Sequence, residues 1–377
     1  PPFGRCAVAD KIALFVGTNK GGFILTSDTS RQKWDVSGPH LRGYSIDHMA
    51  FDPRDGRTFM ALNHEVYGPE VVSSPDFGES WIPSDAEARF TDGSNRKVEK
   101  LWNIQPGRPS EPGVIYLGGM PAALWKSEDS GKTWQENMPL QQHESRPLWN
   151  PGAGGLCLHT IVLDPTDVNR MAVGISAAGY WVTEDDGTSW ERRSDNLPSD
   201  PPPEEMLELM GIVDHDPDQD KCVHKVAVDA NDPAVQYIQH HTGVFRTLDH
   251  GRVWEEISKG LPEQFGFPIV SHPRKSGHIW VIPNSSGEFR TSSSGAFRVF
   301  KSETGGDDWR ALTKGLPQEN AYFSTLRESM AVDGADPLGV YVGTKNGILF
   351  GSSDEGETWR TIAPSLPPIL SVEAVVV

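Results

Sequence analysis

Three cysteines in 377 residues, Cys6, Cys157 and Cys222, are too few for a disulfide framework. No apolar run approaches the ~18 residues of a transmembrane helix, so no membrane insertion is expected. The chain also lacks a basic block. With 52 acidic against 34 basic side chains its net charge is −18, which excludes nucleic acid or an anionic membrane surface as an electrostatic partner. Neutral and cationic ligands stay open. No Met precedes Pro1-Pro2-Phe3-Gly4, so a trimmed or processed start is expected, with room for a removed signal peptide. The few cysteines and the lack of a visible leader slightly favour a soluble, cytoplasmic protein.

What the chain has in quantity is turns, with 38 Gly and 30 Pro. One turn motif, Ser/Thr-x-Asp-x-Gly-x-Ser/Thr-Trp, recurs at spacings of roughly 47–64 residues. Copies begin at Ser74, Ser127, Thr183, Thr247, Ser302 and Ser352, and end at Trp81, Trp134, Trp190, Trp254, Trp309 and Trp359. A degenerate seventh runs from Thr26 through Asp28 to Trp34. The Asp accepts from the amides that follow it, and the Gly supplies a positive φ at little steric cost. The Trp is an apolar peg, worth ~3 kcal/mol or more if lost. These Asp residues therefore read as turn formers, not catalysts.

The pattern resembles the Asp-box, or BNR, repeat of the sialidase-like β-propeller superfamily. That superfamily includes sialidases, xyloglucan-cleaving glycosidases, sortilin-type receptors and photosystem assembly factors. The resemblance implies an all-β propeller and leaves function open. The segments Trp149-Asn150-Pro151-Gly152 to His159 and Pro367-Pro368-Ile369-Leu370-Ser371-Val372-Glu373 are similar to single-domain bacterial BNR-repeat proteins labelled glycosyl hydrolase or sialidase-like.

Strands ending near Asp52, Gln105, Asp164, Asp229, His272 and Asp333 supply six internal first strands against seven boxes. The C-terminal Ser371–Val377 strand is expected to complete the N-terminal blade, closing a single seven-bladed domain and removing two sheet edges. The expected blades are 46–99, 100–156, 157–221, 222–265, 266–325, 326–368, and 369–377 with 11–45. The boxes then lie on one face. The long segments 82–99, 135–156, 191–221, 283–298 and 310–326 gather on the other, where a site is expected.

Counting back five residues from the first-strand endings gives a column: Asp47, Lys100, His159, His224, Phe267 and Glu328, with Ser371 as a seventh member. Cys157 and Cys222 precede the two His by two residues, and His64, His240 and His241 fall in turns on the same face. Three readings follow. His159, His224 and His241 form a site for a divalent transition metal (Zn, Cu, Fe, Ni or Mn), with Glu328 or Asp47 completing it. Alternatively, these groups carry metal-free acid–base chemistry with Lys100 as electrophile and His64 at the rim. In the third, the Cys and His are buried core residues; His48, His215, His250, His272 and His278 read as structural or solvated.

The leading expectation is an enzyme with a His/carboxylate pocket at the channel mouth. It would hydrolyse or eliminate on a small polar or carbohydrate-like substrate. One alternative is a glycoside hydrolase with paired carboxylates drawn from Asp47, Glu65 and Glu328; Trp102, Trp149, Phe267 and Tyr322 would suit sugar stacking. Another is a non-catalytic binding or assembly scaffold. Classical sialidase chemistry is not expected. The early Phe/Tyr-Arg-Ile-Pro motif is missing, and no Arg triad follows from Arg146, Arg290 and Arg327.

Overall fold

Each box folds as its chemistry requires. In the first complete copy Ser80 N and Ser80 Oγ both donate to the Asp76 carboxylate, at 2.8 and 2.5 Å. Gly78 N donates to Ser74 Oγ at 2.7 Å. Phe77 and Gly78 both take positive φ, 57° and 93°, so the glycine relieves one of two left-handed positions. These bonds hold the exposed Asp76 carboxyl at about 2. The copy at 302–309 exchanges its partners: Thr304 stands in the Asp place, Asp308 in the Ser/Thr place, and Thr304 Oγ1 donates to Asp308 at 2.9 Å.

The computed structural model describes residues 11–91, 93, 96–152, 154–201, 204–209, 211–212 and 220–377. Cys6 and His215 lie outside the described residues. The described chain is nearly all β, in seven four-stranded antiparallel sheets. Blade 1 pairs Ile369–Val376 with Lys11–Thr18, followed by Gly21–Asp28 and Asp35–His40. The C-terminal strand is thus the innermost strand of the N-terminal blade. The innermost strands of blades 2 to 7 are Ser45–Asp52, Lys100–Pro106, Leu158–Leu163, Val223–Val228, Gly266–Ser271 and Met330–Val332. The inner strands of successive blades touch around the ring, and that of blade 7 touches that of blade 1.

Neighbouring blades share buried apolar layers. Blades 3 and 4 enclose Tyr116, Leu124, Leu158, Val173 and Trp181; blades 7 and 1 enclose Ile12, Leu14, Tyr341, Leu349 and Ile369. The box tryptophans tie these layers to the preceding repeat. Trp190 Nε1 donates to Asn137 Oδ1 at 3.0 Å, Trp254 Nε1 to Arg193 O at 2.7 Å, and Trp309 Nε1 to Ile257 O at 2.7 Å.

One irregularity positions the site. The inner strands of blades 2, 3, 4, 5 and 6 slip register near their starts, at Asp47, Trp102, His159, His224 and Phe267–Pro268. Such a bulge re-aims the side chains on either side of it.

Candidate functional site

The bulge corrects the column. The counterpart of Asp47 in blade 3 is Trp102, since Ile46/His48 and Leu101/Asn103 bracket the same slip. Lys100 lies two residues earlier. The bulged His159 and His224 reach the next blade directly, and Asp47 does so through Asn63. His159 Nε2 donates to Val223 O at 2.8 Å, and Nδ1 accepts from Thr160 Oγ1 at 2.9 Å. His224 Nδ1 donates to Gly266 O at 2.5 Å. Asp47 binds Asn63 Nδ2 at 2.7 Å, and Asn63 bridges to Leu101 O and N at 2.9 and 2.8 Å. In each case the backbone group engaged precedes the bulge of the following blade, so these residues fasten blade to blade.

The residues just after the bulges face inward instead. His48, Asn103, Thr160 and Lys225 line a cavity of about 470 Å³, with Glu328 and Glu373 beside them. It runs down the inner strands to Leu163, Val228 and Val332. Lys225 Nζ donates to Glu328 Oε2, and His48 Nε2 lies 3.6 Å from the same oxygen. Burial works to raise Glu328, but the Lys225 ammonium and His48 outweigh it and hold the carboxyl at about 2. Glu373 is pushed the other way, upward, chiefly by burial and further by the Glu328 charge, although Phe51 N donates to it at 3.1 Å. Two carboxyls of opposite tendency thus share one cavity.

At the mouth cationic and aromatic side chains cluster. Arg327 Cζ stands 5.7 Å from the Trp102 ring and 5.2 Å from Phe267. Its Nη2 donates to Ser176 Oγ at 3.1 Å, while its buried Nε has no partner. Lys100 Nζ pairs with Asp47 at 2.6 Å and sits 4.2 Å over Trp102, so it is not free to act as an electrophile.

Beside this cluster Cys222, His224 and His241 bring one ligand atom each within 4.8 Å of one another. The expected trio is therefore brought together only in part. His224 and His241 meet, His159 stands apart with both nitrogens engaged, and Cys222 takes its place. Burial pushes the Cys222 thiol up to about 11 and lowers both imidazoles, with Arg327 adding to the imidazole shift. Cys157, by contrast, is buried and donates to Ser176 at 3.3 Å.

His64 stays in its own turn, where Nδ1 accepts from Val66 N at 3.0 Å. Glu65 is exposed, and Asp47 is committed to Lys100 and Asn63, so of the three carboxylates expected to pair only Glu328 reaches the cavity. Trp149 is buried against Trp181 at 4.9 Å, and Tyr322 is exposed. Sequence reasoning missed Lys225, Glu373 and His48, the last read as structural or solvated. For Lys225 and His48 the signal was present: an ionisable residue just after the column position, in strands otherwise apolar.

No family model matches the chain. Over 193 residues it is 25% identical to an oligoxyloglucan-reducing end-specific xyloglucanase of Emericella nidulans, covering 48% of this chain and 22% of that protein. Over 127 residues it is 28% identical to the photosystem II assembly protein Ycf48 of Thermosynechococcus vestitus, covering 33% and 32%. The matched regions thus span a third or less of these curated relatives. Among solved structures, a GH74 xyloglucanase from Xanthomonas campestris superposes with a TM-score of 0.62 at 15% identity, over 97% of this chain and 52% of that one. YCF48 bound to D1 peptide gives 0.51 at 15%, over 84% and 82%. These likenesses establish the seven-bladed fold and agree with the sialidase-like superfamily. Among the described residues no helix is long and apolar enough to cross a membrane.

Proposed function

We propose that the chain is an acid–base hydrolase or lyase that acts on a small polar or carbohydrate-like substrate within the channel. Glu328 serves as the ionised carboxylate and Glu373 as the proton donor. The observation that carries this reading is the pair itself: one cavity holds a carboxyl kept ionised by Lys225 and another whose protonated form is favoured by burial. Two carboxyls pushed apart in this way suit one acid and one base. In glycoside cleavage the acid protonates the leaving oxygen while the carboxylate activates water or attacks. Asn103, Gln105 and Thr160 add polar groups along the wall. The xyloglucanase relatives support carbohydrate as the first substrate class to try.

The test is product release from xyloglucan oligosaccharides and a panel of other small glycosides and lactones. Wild type is expected to turn over one of them. E328Q and E373Q should each lower the rate by about 100-fold or more when assayed well below the melting temperature of each variant, since E328Q strands Lys225. Full activity in E373Q contradicts the reading.

A second reading is a peptide-binding scaffold. The cation–aromatic cluster of Trp102, Arg327 and Phe267 at the mouth favours it, as does the likeness to a Ycf48 structure that holds a peptide. It predicts peptide binding at the loop-bearing face that is indifferent to E328Q and E373Q.

A further inference from the structure

Blade 5 carries a second constellation, at its bulge and separate from the channel carboxyls. Cys222 and His224 stand at the entry of its first strand, and His241 sits in the turn after its second strand. His241 N donates to Cys222 O at 3.0 Å, which locks the two segments together. The three side chains bring one donor atom each within 4.8 Å of one another. All three ligands therefore come from a single blade whose backbone already fixes their spacing.

The outer partners also suit a metal. His224 spends Nδ1 on the Gly266 carbonyl, which leaves the lone pair on Nε2. His241 Nε2 lies 3.3 Å from Asp200 Oδ2, which leaves Nδ1. A metal-bound imidazole normally gives its other nitrogen to a carbonyl or a carboxylate in this way. Phe265 and Phe267 wall the rings, at 4.7–5.3 Å from His224 and 4.8 Å from His241. A second trio, His278, Glu303 and Glu355, also clusters. There Lys275 and Lys301 already occupy Glu355, and Lys301 pairs with Glu303 at 2.6 Å. No cation is needed at that place.

We infer that Cys222, His224 and His241 bind one zinc ion, with the fourth coordination position open toward the Arg327 side of the mouth. One thiolate and two imidazoles are a zinc donor set, too soft and too nitrogen-rich for calcium or magnesium. On binding, the Cys222 S–H bond breaks, the S–Zn bond forms and the proton leaves to solvent; nothing is oxidised. Arg327 and Arg290 lie close enough to act on His241 electrostatically, and their charge favours an anionic or water ligand in the open position. The inference does not rest on the channel chemistry, and its readout requires no turnover.

The experiment uses the full chain, stripped with a chelator and titrated first with Zn²⁺ and then with Co²⁺ as a spectroscopic probe. One ion per chain is expected, and the cobalt form should show thiolate-to-cobalt charge-transfer absorption. C222S should abolish that band and weaken zinc binding by about 100-fold or more, and D200N should weaken it by about 10-fold. C157S should keep both band and affinity. Far-UV dichroism of the metal-free variants checks that they fold, and the wild-type cobalt spectrum stands without any variant. Wild type that takes up no zinc, a cobalt form without the band, or a band that survives C222S would overturn the assignment.

Discussion

His159 reaches from one blade to the next, its Nε2 donating to the carbonyl of Val223 at 2.8 Å. The ring is fully buried, and its second nitrogen is satisfied by Thr160. H159A would leave a carbonyl unpaired and a void where the ring stood. The expected loss is about 2–4 kcal/mol in denaturant unfolding, with zinc binding retained. A loss below 0.5 kcal/mol would remove the fastening role.

Lys225 and Glu328 form a largely buried pair inside the channel. Removing one partner strands the other, so K225M is expected to cost about 3–5 kcal/mol, whereas K225M with E328Q should recover much of that. A double-mutant cycle in urea reads the coupling. Additive losses would mean that the two side chains act independently.

In the box at 302–309 the Asp and the hydroxyl have exchanged places. T304D alone sets a carboxylate against Asp308, and D308T alone leaves two hydroxyls. Each single change should cost about 1 kcal/mol, and the double change, which restores the usual order, should return most of it. Thermal melts of the three variants decide; a double variant no better than the singles would contradict the exchange.

Acid should unfold the protein in stages. The box carboxyls of Asp129, Asp185, Asp249 and Asp354 are all lowered, and those of Asp76, Glu328 and Glu355 are lowered to about 2. A lowered folded value means stability present above the unfolded value and lost as pH falls through the folded one. Their contribution therefore declines as pH falls below about 4, and that of Asp76, Glu328 and Glu355 is lost by about pH 2. The buried imidazoles of His159, His224 and His240 are lowered too, mainly by burial, so a shallower decline begins near pH 6.5. Melting temperature followed from pH 8 to 2 should show both limbs. A flat profile down to pH 3 would contradict them.

The architecture was legible because each box is a local turn. Asp76, Gly78 and Ser80 close within a few residues, so the sequence carries the whole interaction. The C-terminal strand was legible for a related reason: an apolar Ser371–Val377 with no box after it needed a blade to finish. The site was legible only in part. Period-two alternation predicts which residues share a strand face, but one extra residue at Asp47, Trp102, His159 and His224 re-aims its neighbours. That shift turned His159 into a fastener and gave the channel to Lys225 and His48. Glu373 was hidden differently. It belongs to the strand that closes the ring, so its partner, Glu328, is nearby only once the propeller is complete.

The central claim is that one cavity keeps Glu328 ionised and Glu373 protonated over a common range of pH. Carboxyl infrared difference spectra, recorded from pH 3 to 8 on wild type, E328Q and E373Q, test it directly. The account predicts a protonated carboxyl band that persists above the ordinary glutamate value of about 4.3 and is absent in E373Q. E328Q should move its midpoint downward, because the Glu328 charge helps to keep the Glu373 proton. No such band in wild type, or an unchanged band in E373Q, would contradict the account.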